Sequence, residues 1–291
     1  MKDLGMLKYF LGLEIARSPL GIFLCQRKYV LDILADTGLI GATPASFPLE
    51  QNHRLAVSTS DLLDDPEPYR RLVGRLLYLL ATRPDITYAV HVLSQFMQQP
   101  RLDHWQAALR VVRYLKRNPG QGILLRSDSD LRLSAWCDSD WAGCPRSRKS
   151  LSGWLVQLGN SPISWRSKKQ HTVSLSSAEA EYRAMSSATC ELLWLKGLLR
   201  SLGVDHSAPM LLRCDSQAAL HIAANDVFHD RTKHIEIDCH FLRHHVSSQT
   251  VATCYVPSNS QLADIFTKSL GKKEFDLFLD KLGVYDIYAP P

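Results

Sequence analysis

The spacing of apolar residues changes character along the chain, and each change marks a different kind of element. Residues 7–38 read as strand, turn, strand and helix: LKYFLGLEIA, the turn residues Ser18, Pro19, Leu20 and Gly21, IFLCQ, then KYVLDILADTGL closing near Gly38. Residues 41–68 are rich in Pro, Ser, Thr and acidic side chains and predict a long surface connection. Three helical segments follow, YRRLVGRLLYLLAT, PDITYAVHVLSQFM and DHWQAALRVVRYLKR, whose apolar residues recur at three- and four-residue steps, as at Leu72, Leu76, Leu79 and Leu80. Pro84 suits a first helical turn, and Asn118-Pro119-Gly120 stops the third segment.

Beyond Gly120 short strands take over: GILLRS, LRLSAWCD, SGWLVQLG and ISWRSKK. A long helix closed by Gly203 comes next, then strand MLLRCD, helices SQAALHIAA and HIEIDCHFLRHHV, strand TVATCYV and a helical region from Ser260. Antiparallel strands followed by alternating helices and strands predict an α/β unit, a mixed sheet covered by helices on both faces.

With 291 residues, 45% of them hydrophobic, the chain is long enough for two cores. A formal net charge of +5 permits a polyanionic partner without demanding one. No apolar run reaches the roughly 18 residues of a membrane span, and the N-terminus lacks the order of a signal peptide, so an intracellular protein is expected. Seven scattered cysteines without a C-x-x-C pair read as reduced thiols. His240 and His244 share a helix face but have no third ligand at a useful spacing, so they read as polar surface.

Four acidic residues stand where an acid is costly. Asp138 ends one strand and Asp215 another, and strand ends are where open α/β sheets bind ligands. The competing readings are turn chemistry for Asp138 and a helix cap for Asp215. On the long helix, steps of four and three from Glu181 reach Met185, Ala188, Leu192, Leu195 and Leu199, a buried stripe; Glu179 instead steps to Arg183 and reads as surface. A carboxylate on a buried face costs several kcal/mol unless it is paired or bound to metal. Nearby positive side chains fall on other helix faces, which favours metal. Asp264, in QLADIFTK, reads equally well as the flank of an amphipathic helix.

These residues sit in an ordered series of motifs: CDSDWAG (137–143), RKSLSGWLV (148–156), SWRSKKQ (164–170), SLSSAEAEYRAM (174–185), CDSQAAL (214–220), RTKHIEIDCHFLR (231–243) and VPSNSQLADIFTK (256–268). The series resembles the ribonuclease H domain of Ty1/copia-type retrotransposon Pol polyproteins. Its acidic tetrad falls on Asp138, Glu181, Asp215 and Asp264, with Asp140 the rival in the first motif. Asn259 stands in the last motif, which has no histidine before its aspartate, unlike cellular ribonucleases H. The N-terminal motifs MKDLGMLKYFLGLEI, QRKYVLDILADTGL and YRRLVGRLLYLLATRPDITYAVHVLSQF resemble the end of the same family's reverse transcriptase. The aromatic-x-Asp-Asp polymerase motif is absent and Asp64-Asp65 does not replace it, so no DNA synthesis is expected from this chain alone.

The resemblance implies three segments: a mainly helical thumb and connection remnant with a β-hairpin over 1–125, a ribonuclease H-like domain over 126–270, and a C-terminal helix and tail over 271–291. It implies hydrolysis of the RNA strand of an RNA–DNA hybrid with two Mg²⁺ ions, for which Mn²⁺ can substitute, held by the tetrad. It also implies association with other Pol or Gag components. Arg146, Arg148, Lys149, Arg166, Lys168 and Lys169, interleaved with Trp141, Trp154 and Trp165, are the candidate backbone-tracking residues, with Lys233 and His234 as further candidates. Two other readings compete: an integrase-like nuclease, and a silent transposon remnant or hybrid-binding protein.

Overall fold

The computed structural model describes residues 5–225 and 236–287. Lys233 and His234 lie outside the described residues. The chain divides into two compact units, residues 1–128 with 269–291, and residues 129–268. Elements are numbered along the chain.

The first unit carries an antiparallel sheet of five strands, β1 (Tyr9–Phe10), β2 (Leu13–Ser18), β3 (Gly21–Cys25), β4 (Gln121–Arg126) and β10 (Val284–Asp286), in the order β1-β2-β3-β4-β10. The β2–β3 hairpin is the one its turn residues predict. Gly21 is obligatory there: its φ is +141°, and a Cβ would fall 2.0 Å from the Leu125 carbonyl oxygen on the neighbouring strand. β4, which adjoins the ribonuclease H-like motifs in sequence, pairs instead with β3 and β10. The final segment is likewise no separate tail, because its β10 completes this sheet. Neither pairing has a local signature, since each joins residues about a hundred or more positions apart.

Helices α1 (Arg27–Asp36), α2 (Glu67–Leu79), α3 (Thr87–Ser94), α4 (Leu102–Arg117) and α8 (Lys272–Lys281) complete the unit. Of the predicted stripe Leu72, Leu76, Leu79 and Leu80, the first three are buried on α2 and Leu80, at its C-cap, is half-buried. The 41–68 connection is irregular up to the start of α2 at Glu67, apart from one 3₁₀ turn at Leu55–Val57 and a single bridge from Leu62 to Arg101. Pro84 opens a second 3₁₀ turn, Pro84–Ile86, ahead of α3. That turn buries a charged network. The Arg83 guanidinium donates to both Asp85 oxygens, at 2.7 Å for the closest pair, and to the Asn118 carbonyl. Tyr114 Oη at 2.6 Å and Gln121 Nε2 at 3.0 Å also donate to Asp85. The turn, α4 and β4 are thereby tied through one carboxylate.

In the second unit, β5 (Leu133–Asp140), β6 (Leu151–Leu158) and β7 (Ser161–Lys169) form an antiparallel meander. The long helix α5 (Ser177–Ser201) follows, capped by Ser176 Oγ accepting from the Glu179 amide. Then come β8 (Met210–Cys214), α6 (Gln217–Ala224), α7 (Glu236–Ser247) and β9 (Val251–Tyr255), with β8 and β9 parallel to β5 and its neighbour. The sheet order is β7-β6-β5-β8-β9. Leu133, Ala135 and Cys137 of β5 share one core with Trp154 of β6 and the Met185–Leu195 stripe of α5, and α6 and α7 join the same core. The other face of β5 and β6 meets a 3₁₀ turn, Leu262–Phe266: a Cβ on Gly153, directly opposite Asp138, would lie 2.8 Å from Phe266 Cβ.

The Arg83–Asp85 network predicts a stability effect. Replacing Arg83 with Met leaves Asp85 buried beside neutral donors alone, at a cost of about 3–5 kcal/mol. A urea midpoint for Arg83→Met within error of the unsubstituted protein would show that the network contributes nothing.

Candidate metal centre

The centre is built at the adjacent ends of β5 and β8, where a helix enters from one face of the sheet and a turn from the other. Asp138 is two residues from the end of β5. By the alternation of the strand it lies on the face opposite the Cys137 core, with the 3₁₀ turn. Asp215 follows the last residue of β8, the strand parallel to β5. Glu181 enters on the second turn of α5, on the buried stripe its periodicity predicts. Asp264 sits inside the Leu262–Phe266 turn.

The four carboxylates meet as two overlapping groups. Among the described residues, the ligand atoms of Asp138, Asp215 and Asp264 all lie within 4.8 Å of one another, and so do those of Glu181, Cys214 and Asp215. Glu181 Oε1 accepts from the Ser139 amide at 3.1 Å, and the Cys214 thiol donates to Glu181 Oε2 at 3.8 Å. The Ser258 hydroxyl donates to Asp215 Oδ2 at 2.7 Å. Thr267 Oγ1 donates to Asp138 Oδ2.

Burial and mutual repulsion dominate the electrostatics. Burial first, then the charges of Asp138, Cys214 and Asp215, push the Glu181 carboxyl up to about 11. Burial and the Asp138 charge push Asp264 up to about 7, although Lys268 acts in the opposite direction. Asp138 is raised as well, mainly by burial, with Lys268 and Thr267 opposing. Asp140, the rival for the first position, is raised by burial and by Asp138, and belongs to neither three-ligand group. Hard oxygens concentrated this densely fit small divalent cations of the Mg²⁺ and Mn²⁺ kind.

Several supporting residues carry no periodic signal in the sequence. Gln261 Nε2 donates to the Cys137 carbonyl at 2.9 Å while its Oε1 caps the Asp264 turn at Ala263. Ser167 Oγ donates to the Phe266 carbonyl at 2.6 Å. Gln170 Nε2 reaches Ser152, Ser139 and the Ala180 carbonyl, joining β6, β5 and the start of α5. Lys268 was also missed: its Nζ lies 2.9 Å from Asp264 Oδ1 and 3.6 Å from Asp138 Oδ2. Lys268 thus brings a positive charge to the centre from outside α5, and its i,i+4 spacing from Asp264 is the clue the sequence offers.

Two further expectations need correction. Glu179 does pair with Arg183, at 2.9 Å, but it is only 7% exposed, because it also accepts from the Leu175 amide ahead of the helix. Trp154 is 4% exposed and packs in the core, so it offers no stacking surface. The basic candidates fall into two sets. Arg146, Arg148 and Lys149 lie on the loop after β5, and Arg166, Lys168 and Lys169 lie on β7. Lys169 Nζ, 2.8 Å from Cys144 Sγ, ties the two sets together. Arg166 lies over the Trp154 ring with its other face toward solvent. His240 pairs with Glu236 at 3.9 Å and joins no candidate metal group among the described residues.

A mixed sheet of this strand order, with acids on the two adjacent parallel strands, on the first helix after the meander and on a closing turn, is ribonuclease H-like. The chain overlays a foamy viral protease-reverse transcriptase solved with an RNA/DNA hybrid at a TM-score of 0.50 and 11% identity, over 86% of this chain and 29% of that one, which is a likeness of fold. The chain belongs to the retrovirus-related Pol polyproteins of copia-type transposons. It is 45% identical to the Pol polyprotein of transposon RE1 from Arabidopsis thaliana over 284 residues, 98% of this chain and 19% of that protein. Identity to the transposon RE2 polyprotein of the same plant is also 45%, over 100% of this chain and 20% of that protein. The chain thus spans about a fifth of the length of these curated relatives. No protein-family profile matches it. No helix among the described residues is long and apolar enough to cross a membrane.

The raised Asp264 carboxyl sets a direction for stability against pH. An acid whose folded pKa exceeds its ordinary 3.8 holds a proton that the unfolded chain has released, so folding is increasingly opposed as pH rises from about 4 to about 7. Asp264→Asn should accordingly stabilise the metal-free protein at pH 8 by on the order of 2 kcal/mol, and by little at pH 4. Denaturant titrations in EDTA at the two pH values check this; a variant less stable than the unsubstituted chain at pH 8 contradicts it.

Proposed function

We propose that this chain is a divalent-metal-dependent ribonuclease of the ribonuclease H kind, hydrolysing the RNA strand of an RNA–DNA hybrid and leaving a 3′-hydroxyl and a 5′-phosphate. The convergence of Asp138, Glu181, Asp215 and Asp264 from four separate elements of a ribonuclease H-like fold carries this reading. Two Mg²⁺ ions, with Mn²⁺ as a substitute, supply an acidified water and stabilisation of the departing oxygen. Asp138, Asp215 and Asp264 would form one ligand group for these cations, and Glu181 with Asp215 the other. Glu181, fixed by the Ser139 amide, also positions the ribose 2′-hydroxyl region, which distinguishes RNA from DNA.

Arg146, Arg148, Lys149, Arg166, Lys168 and Lys169 supply the charge that tracks the phosphate backbone. The first unit and the family membership support its reading as the thumb and connection end of a reverse transcriptase, acting alongside other Pol or Gag components of the element inside the cell. On this reading the chain alone carries out no DNA synthesis.

The test uses the full chain, a 5′-labelled RNA strand annealed to DNA, and Mg²⁺ or Mn²⁺. Cleavage of the RNA is expected, falling at least about 100-fold for Asp215→Asn. Binding of the hybrid without cleavage under either metal would leave a hybrid-binding remnant as the better account. Cutting of both strands of plain duplex DNA would point to the integrase-like class instead.

A further inference from the structure

Among the described residues, Lys268 is the one cation placed between carboxylates of the metal centre. Its Nζ is 2.9 Å from Asp264 Oδ1 and 3.6 Å from Asp138 Oδ2, and these two acids belong to the group whose ligand atoms lie within 4.8 Å of one another. Lys268 follows the turn that presents Asp264 by two residues, and its amide donates to the Asp264 carbonyl at 2.9 Å. The Asp138 and Asp264 side chains are 2% and 13% exposed, whereas that of Lys268 is 42% exposed. The ammonium is therefore anchored on buried oxygens while the side chain that carries it remains partly exposed.

We infer that Lys268 is a resident counter-ion of this centre, competing with a divalent cation for Asp138 Oδ2 and Asp264 Oδ1. The inference rests on the metal-dependent reading above. Three acids crowded into one buried place must be neutralised by something, and a tethered ammonium does this at no cost in translational entropy. An oxygen pointing its lone pair at an ammonium 2.9 Å away cannot direct that pair at a metal, and a second cation close by is repelled. Lysine, unlike arginine, is a flexible point charge that can leave one anion for another.

Metal loading in the free protein thus requires Lys268 to move away. A polyanion arriving at the centre gives the ammonium a new partner and so promotes loading, and by reciprocity bound metal strengthens the hold on the polyanion. The lysine couples cation uptake to substrate without contacting both sites at once.

The coupling is tested on the full chain with Mn²⁺ alone, titrated calorimetrically at low ionic strength. Lys268→Gln removes the charge while keeping a donor for Asp264. It should bind Mn²⁺ roughly three- to tenfold more tightly than the unsubstituted protein, whereas Lys268→Arg should stay within about twofold of it. The thermal midpoint of Lys268→Gln should be lower without metal and rise further on Mn²⁺ saturation. A second measurement needs no variant: acetylation of Lys268 in the unsubstituted protein, read by peptide mass spectrometry, should increase several-fold when Mn²⁺ is added. Equal or weaker Mn²⁺ binding by Lys268→Gln, or acetylation indifferent to Mn²⁺, overturns the competition while leaving the metal reading intact. Failure of the unsubstituted protein and both variants alike to take up Mn²⁺ removes the metal reading itself, and this inference with it.

Discussion

Repulsion among carboxylates buried in one small volume is the constraint around which the second unit is organised. Left to electrostatics, Asp138, Glu181, Asp215 and Asp264 would separate, and burial first, then the charges of their neighbours, raises the carboxyls of Glu181 and Asp264. Uncharged contacts hold them together. Gln261 fastens the Asp264 turn to the backbone of β5, Ser167 fastens the far end of the same turn to β7, and Gly153 leaves the space in which the turn lies against β6. Gln170 holds the start of α5, and with it Glu181, against the meander. On the metal-dependent reading, the fold spends stability to keep an arrangement that favours a bound cation, which is the usual compromise at a functional site.

The first unit shows what the same chemistry looks like when its purpose is structural. Asp85 is as deeply buried as Asp138, but it meets a full guanidinium, a tyrosine hydroxyl and an amide, all donating. Every demand of that carboxylate is met from within the protein, so it has nothing left to offer a ligand. Asp138 instead shares one oxygen between Thr267 and Lys268 and faces two further acids. Burial alone does not separate structural from functional acids; the completeness of their pairing does.

The legibility of these features in the sequence follows from their range. Glu181 could be chosen over Glu179 because a helix repeats its faces every three to four residues, and the buried Met185–Leu195 stripe extends to it. Asp138 and Asp215 were legible as strand-end acids, although each had an ordinary turn or cap reading beside it. Asp264 was not, because a five-residue 3₁₀ turn has no repeat and its neighbours Leu262, Ile265 and Phe266 mimic a helix face. Gln170, Gln261 and Ser167 act on partners 10, 124 and 99 positions away, and nothing local records such partners. The same holds for β4 and β10, whose register joins Ile123 to Val284. Glu179 shows a subtler failure: its pairing with Arg183 was legible, but the burial of that pair depends on the Leu175 amide looping back over it.

On the nuclease reading, an acidic centre must admit a polyanion, and the basic residues resolve the conflict only in part. Lys169 is committed to the Cys144 thiol: burial raises that thiol, yet Lys169 and nearby donors outweigh it and bring it down to about 7. That contact joins the 141–150 loop, which carries Arg146, Arg148 and Lys149, to β7. These charges attract a phosphate backbone over distances of about a Debye length, roughly 8–10 Å in physiological salt, but they cannot cancel repulsion between a phosphate and Asp138 or Asp264 at contact. Only positive charge inside the centre does that. The protein offers Lys268 first, and because that charge can move toward the arriving phosphate, it clears the same oxygens that a divalent cation needs.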